Sequence, residues 1–242
     1  MRFVILIPMK SEKGRSIHQQ ALDAQEEGKF PEALKLEDEA MIVYQEEGDE
    51  AGFAEIQSMR TLTYRHLYDS TGFAGYLIKA KHEAEAGLDL AERSGNESAI
   101  AIPLVGVARI LYDLGEYSQA AENFGRAVKI LESHPEESHS RKSVIADFSV
   151  HMFVSQYRAG DKSALSAAEE ALDELANTAD ASPYEKEVWL SGGHMKIAEA
   201  VNEADHNMAM DHMNLAKKII DGDEKLKLRL EQWNKLMAKL KG

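Results

Sequence analysis

Small residues recur seven positions apart at five places along this chain, each time just after a turn signal. The pairs are Ala33 and Ala40, Ala80 and Gly87, Ala120 and Ala127, Ala164 and Ala171, and Ala209 and Ala216, stepping by 47, 40, 44 and 45 residues. Seven residues make about two turns of α-helix, so each pair marks one helix face where a neighbouring helix approaches closely. Self-similarity at such a period is the mark of stacked helical hairpins, because one hairpin alone cannot bury its apolar face.

The breaks between these stripes agree. Turn signals stand at Gly28-Lys29-Phe30-Pro31, Gly72-Phe73, Gly115-Glu116-Tyr117, Gly160-Asp161 and Asp205-His206-Asn207. Longer polar breaks fall near Gly48-Asp49, Gly95-Asn96, Pro135 to Ser140 and Ala179 to Ser182. Ser182-Pro183-Tyr184-Glu185 reads as a helix start, with a capping Ser, Pro at the first helical position and Glu completing a capping box. The pattern predicts five helix pairs from Ser16 onward, then one more helix. That last segment, Glu224 to Leu240, carries Leu226, Leu230, Trp233, Met237 and Leu240 at alternating steps of four and three, an apolar helical stripe. It reads as the cap that closes the array, with a dimerising seam as the alternative.

Residues 1–10, MRFVILIPMK, read as a short extended arm, either packed on the first helices or pairing as an edge strand with another chain. The polar stretch SEKGRS is expected to separate the arm from the helices. The predicted domains are thus an arm over 1–14, a repeat domain over 15–222 and a cap over 223–242.

Composition narrows the partners. A formal net charge of −14 argues against nucleic acid and against an anionic membrane surface, both of which select basic residues. With no cysteine there are no disulfides, thiolate catalysis or Cys-based zinc sites. Phe3 to Met9 is far shorter than the roughly 20 residues of a membrane span and makes a poor signal peptide, so a cytoplasmic location is expected.

Leu104 to Val128, LVGVARILYDLGEYSQAAENFGRAV, resembles a tetratricopeptide repeat. Gly115 and Tyr117 stand at the turn, Ala108, Ala120 and Ala127 at the small positions, and Phe124 between the last two. Ile17 to Met41 is similar through Ala21, Gly28, Phe30, Ala33 and Ala40. The resemblance covers about residues 15 to 220, although the 40–47 spacing exceeds the family's usual repeat and requires longer helices or loops. It implies an all-α fold, a right-handed superhelix of about five antiparallel helix pairs (an α-solenoid) with a C-terminal capping helix. It also implies a non-enzymatic scaffold that binds a peptide or protein segment in a concave groove lined by the first helices. The alternative is an oligomerising sensor or assembly subunit acting through the terminal helix, with a homodimer formed through that helix.

Catalytic signatures are missing from the sequence. It has no GxSxG elbow, Walker loop or glycine fingerprint, and His82-Glu83 lacks a second His because Ala86 stands there. No cofactor and no metal are expected. His134 and His139 flank Glu136 and Glu137 without ligand spacing. His206, Met208, Met210, His212 and Met213 read as helix-core packing rather than a soft-metal site. Nearly all of the 42 acidic residues read as solvated helix faces. The family's clamp for chaperone C-termini is not matched, because His18 and Leu22 occupy its positions.

The remaining constellation is RHLYD at Arg65 to Asp69 against RILYD at Arg109 to Asp113, 44 apart, with Tyr157 a further 45 after Tyr112. Arg65 and Tyr68, like Arg109 and Tyr112, are three apart and share a helix face. Arg65, Tyr68, Arg109, Tyr112 and Tyr157 are therefore the expected ligand-binding residues, since Arg and Tyr dominate binding hot spots. The competing expectation is structural: tyrosines packed between helices, and arginines paired with Asp69 or Asp113.

Overall fold

The computed structural model describes residues 11–93, 95–137 and 139–241. Eleven α-helices occupy them: α1 Glu12–Glu26, α2 Phe30–Glu46, α3 Glu50–Thr71, α4 Ala74–Arg93, α5 Ala101–Asp113, α6 Tyr117–Ser133, α7 Lys142–Ala159, α8 Ala164–Asn177, α9 Pro183–Val201, α10 His206–Ile220 and α11 Lys227–Lys241. A 3-10 turn over Glu97–Ile100 leads into α5. The fold is all-α, built of paired antiparallel helices with a capping helix. The expected arm over residues 1–10 lies outside the described residues.

Sequence explains the boundaries. Ser182 Oγ accepts the Glu185 N–H, and the Glu185 side chain accepts the Ser182 N–H, forming the capping box that starts α9. Asp205 starts α10 by accepting the Met208 N–H at 2.9 Å. Gly160, with φ 115°, ends α7 in the left-handed region, where a Cβ would be strained. One boundary differs from expectation. Ser11 Oγ accepts the Gly14 N–H at 2.7 Å, so SEKGRS opens α1 instead of separating it from the arm.

The chain forms two compact units, one ending at Leu114 and the other starting at Gly115. In the N-terminal unit Ile17, Ala21, Ala40, Val43, Tyr44, Ile56 and Met59 form one core cluster. Leu77, Ala80, Ala84 and Ile110 form a second. The small stripes sit where close approach requires them: Ala33, Ala40, Ala120, Ala127, Ala209 and Ala216 are fully buried. The second stripe differs, because Gly87 is half-buried and Ala84 takes the buried place beside Ala80.

The Tyr44 ring occupies the centre of the first cluster, fully buried. A Cβ on Gly14 of α1 would lie 2.4 Å from its Cε1, and a Cβ on Gly52 of α3 only 2.3 Å from the same atom. Two glycines on different helices thus make room for one aromatic ring. Asp49 ties the same helices: Oδ1 accepts the Gly52 N–H at 3.0 Å and Oδ2 the Ser11 N–H at 2.9 Å.

In the C-terminal unit α11 closes over α9 and α10. Leu226, Met237 and Leu240 are buried, and Leu230 and Trp233 half-buried. Trp233 Nε1–H donates to the Met213 carbonyl at 2.9 Å and Arg229 Nη2 to the Val188 carbonyl at 3.1 Å. Lys239 Nζ reaches Glu199 Oε1 at 2.9 Å. The apolar stripe of α11 is spent largely on its own chain.

Candidate functional site

Arg65 near the end of α3 and Asp113 at the end of α5 are brought together. Arg65 Nε and Nη2 each lie 2.7 Å from Asp113 Oδ2, with side chains 15 % and 11 % exposed. Burial alone disfavours the guanidinium charge, but the Asp113 and Asp69 carboxylates outweigh it and hold the Arg65 pKa above its ordinary value. Of the two carboxylates expected to compete for Arg65, the one on the neighbouring helix makes the bond.

The other expected site residues fall in different environments. Tyr68 is half-buried against the Leu77, Ala80, Ala84 and Ile110 cluster. Arg109 is half-buried on α5, one turn before Asp113. Tyr112 is 9 % exposed and Tyr157 5 %, so both rings belong to the interior and offer a ligand little surface. The Lys162 ammonium lies 4.0 Å over the Tyr157 ring, a cation–π contact. The first four residues belong to the N-terminal unit and Tyr157 to the C-terminal one.

A second charged group on α3 has no counterpart in the sequence reading. Arg60 pairs with Asp38 of α2 and, through Nη2 at 3.2 Å, with Glu83 of α4, and its guanidinium lies over the Tyr64 ring. Beneath it runs a buried polar chain: Gln25 Nε2 donates to Thr63 Oγ1 at 2.7 Å, and the Thr63 hydroxyl donates to Glu37 Oε1 at 2.5 Å. Glu37 is fully buried and its Oε2 has no hydrogen-bond partner. Burial pushes its pKa up to about 7, opposed by the Thr63 bond and the Arg60 charge. Glu37 lies on the small-residue face of α2, four after Ala33 and three before Ala40, so its position on that stripe marks it as an exception to the solvated-carboxylate reading.

The histidine clusters also resolve. His134 Nδ1 lies 2.9 Å from the Ile130 carbonyl and 3.0 Å from Ser133 Oγ, closing the end of α6. His212 and Met213 are buried in α10, as core packing requires, and His206 is exposed. Among the described residues, no group of three or more His, Asp and Glu side chains is placed to hold a metal ion. Nor is any helix among them long and apolar enough to cross a membrane.

No family model matches the chain, and no curated protein does. Solved structures do. BtubC (BKLC) from P. vanneervenii superimposes with a TM-score of 0.60 at 21 % identity, over 86 % of this chain and 80 % of that one. Two structures of nearly identical TPR-like repeats from Podosopora anserina, named as a candidate kinesin light chain, also match. One of them, a point variant of those repeats, gives 0.57 at 15 % identity over 85 % and 93 % of the two chains, and the other 0.55 at 16 % over 95 % and 98 %. At these identities the likeness is one of fold: a tetratricopeptide-like helical repeat.

Proposed function

We propose that this chain is a non-enzymatic protein-interaction scaffold that binds a peptide or protein segment on the faces of α3 and α5. The observation that carries the reading is the fold itself, since stacked helical hairpins present extended surfaces and hold them rigid. A compartment in which such partners occur freely, the cytoplasm, fits a chain of this charge. Within the expected site, Tyr68 and Arg109 are the half-buried groups and so keep surface that a ligand can touch. The Arg65–Asp113 pair fixes the register of α3 against α5, and Tyr112 and Tyr157 act as packed supports. The net charge of −14 repels anions at long range, so a half-buried Arg selects a carboxylate by contact and not by steering.

Peptides selected from a displayed random library on the full chain test this. Arg109→Ala and Tyr68→Ala should each weaken the selected peptides by about 1 to 3 kcal/mol, the range of interface hot spots. Unchanged affinity in both variants would move the binding face elsewhere.

A further inference from the structure

Helices α9 and α10 meet at a histidine pair. His194 Nδ1 lies 3.0 Å from His212 Nδ1, with ring centroids 5.2 Å apart and planes at 46°. His212 is 8 % exposed and His194 half-buried. His212 Nε2 faces Glu169 Oε1 of α8 at 3.6 Å.

A hydrogen bond between two Nδ1 atoms needs a proton on one and a lone pair on the other. The Glu169 carboxylate favours a proton on His212 Nε2, which leaves His212 Nδ1 as acceptor and His194 Nδ1–H as donor. One added proton settles on His212, beside the Glu169 and Asp211 carboxylates, and the bond persists with its roles reversed, His212 Nδ1–H donating to a His194 whose own proton sits on Nε2. A second must go to His194 Nδ1. Two N–H groups then oppose each other at the contact, and both rings are charged.

We propose that the His194–His212 pair is an acid-released latch that holds α10 against α9. The connection to α11 is direct. Met213, next to His212 and fully buried, supplies the carbonyl that accepts Trp233 Nε1–H at 2.9 Å.

The charges around the pair set its direction. Burial lowers the His194 pKa to about 4, and His212 adds to this while Asp173 of α8 opposes it. Burial also lowers His212, against the pull of Glu169 and of Asp211 on α10. Several other charged groups of the packed helices have partners of their own. Lys196 of α9 and Lys239 of α11 both bond Glu199, Arg229 of α11 bonds the Val188 carbonyl, and His151 of α7 faces Asp147. With folded pKa values below the free-histidine value of 6.5, the unfolded chain binds more protons between pH 6.5 and about 4. The latch is therefore complete above 6.5 and is lost as pH falls through the folded pKa values.

Trp189 and Trp233 are the chain's two tryptophans, so Trp189→Phe leaves Trp233 as sole reporter. In that full-length variant, Trp233 emission should move to longer wavelength in one step between pH 6.5 and 4. Adding His194→Gln, which keeps a donor but takes no proton, should abolish the step or displace it by about one pH unit, a tenfold change in proton affinity. A step unchanged by His194→Gln would overturn the proposal. Imidazole NMR of the unaltered chain decides independently of any variant. Both rings should titrate below 6.5 with α10 amides shifting in the same window, and titration of either ring at 6.5 or above would overturn the latch.

Discussion

Adding one methyl group at Gly52 should destabilise the N-terminal unit, although the same change on an open helix face stabilises. The Cβ of Gly52→Ala would lie 2.3, 2.4 and 2.7 Å from Tyr44 Cε1, Cδ1 and Cζ, far inside van der Waals contact. The ring cannot retreat. Gly14 packs as closely on the same ring, where a Cβ would come within 2.4 Å of Cε1, and His18 Nδ1 lies 3.2 Å from its hydroxyl. Overpacking of a filled core costs typically 1–3 kcal/mol, and a fully buried ring pressed by two helices belongs at the upper end. Alanine returns about 1 kcal/mol of helix propensity, which leaves a net loss of about 2 kcal/mol. In a unit of this size that is on the order of 10 °C in Tm, read by scanning calorimetry of the full chain. Tyr44→Ala supplies the control. With the ring gone, Gly52→Ala should become stabilising by about 1 kcal/mol. A rise in Tm for Gly52→Ala in the unaltered background would refute the clamp.

Three further outcomes follow from the same packing. Ala127→Glu places a charge at a fully buried crossing of α6 and should cost about 3 kcal/mol or more, visible as early melting of the C-terminal unit. Truncation after Leu226 removes α11, uncovers the apolar side of α9 and α10 and leaves the Met213 and Val188 carbonyls without their α11 donors. Dye binding to exposed apolar surface and light scattering should both rise. Glu37 has a folded pKa raised from 4.5 to about 7, so its contribution is full below 4.5 and is lost as pH rises through 7. That component is on the order of 3 kcal/mol, and Glu37→Gln should remove it from the difference between urea unfolding at pH 5 and at pH 8.

Most of the fold was legible because helical repeats write their geometry into small residues and turns. Four of the five stripes, the glycine turns and the Ser182 capping box needed no tertiary information. The α1 boundary did. Ser11 is a capping residue only because the chain turns helical after it, and EKGRS carries no apolar period to announce that. Gly87 failed as a stripe member because Ala84, one turn earlier on the same face, fills the crossing. The site was legible in part. The RHLYD and RILYD echo located the ends of α3 and α5, but spacing alone could not choose between Asp69 and Asp113 as the partner of Arg65. That choice depends on how two helices pack. Whether a tyrosine lines a surface or fills a core depends likewise on its neighbours, and Tyr112 and Tyr157 turned inward. The Gln25–Thr63–Glu37 chain joins three helices and could be suspected only from a glutamate standing on an alanine stripe.

The central claim, a scaffold that takes its partner on α3 and α5, is tested most directly by hydrogen exchange of the full chain with and without a saturating selected peptide. Amides in residues 60–69 and 102–113 should gain protection, and Arg109→Ala should reduce that gain. Protection confined to other helices, or appearing equally in Arg109→Ala, would contradict the account.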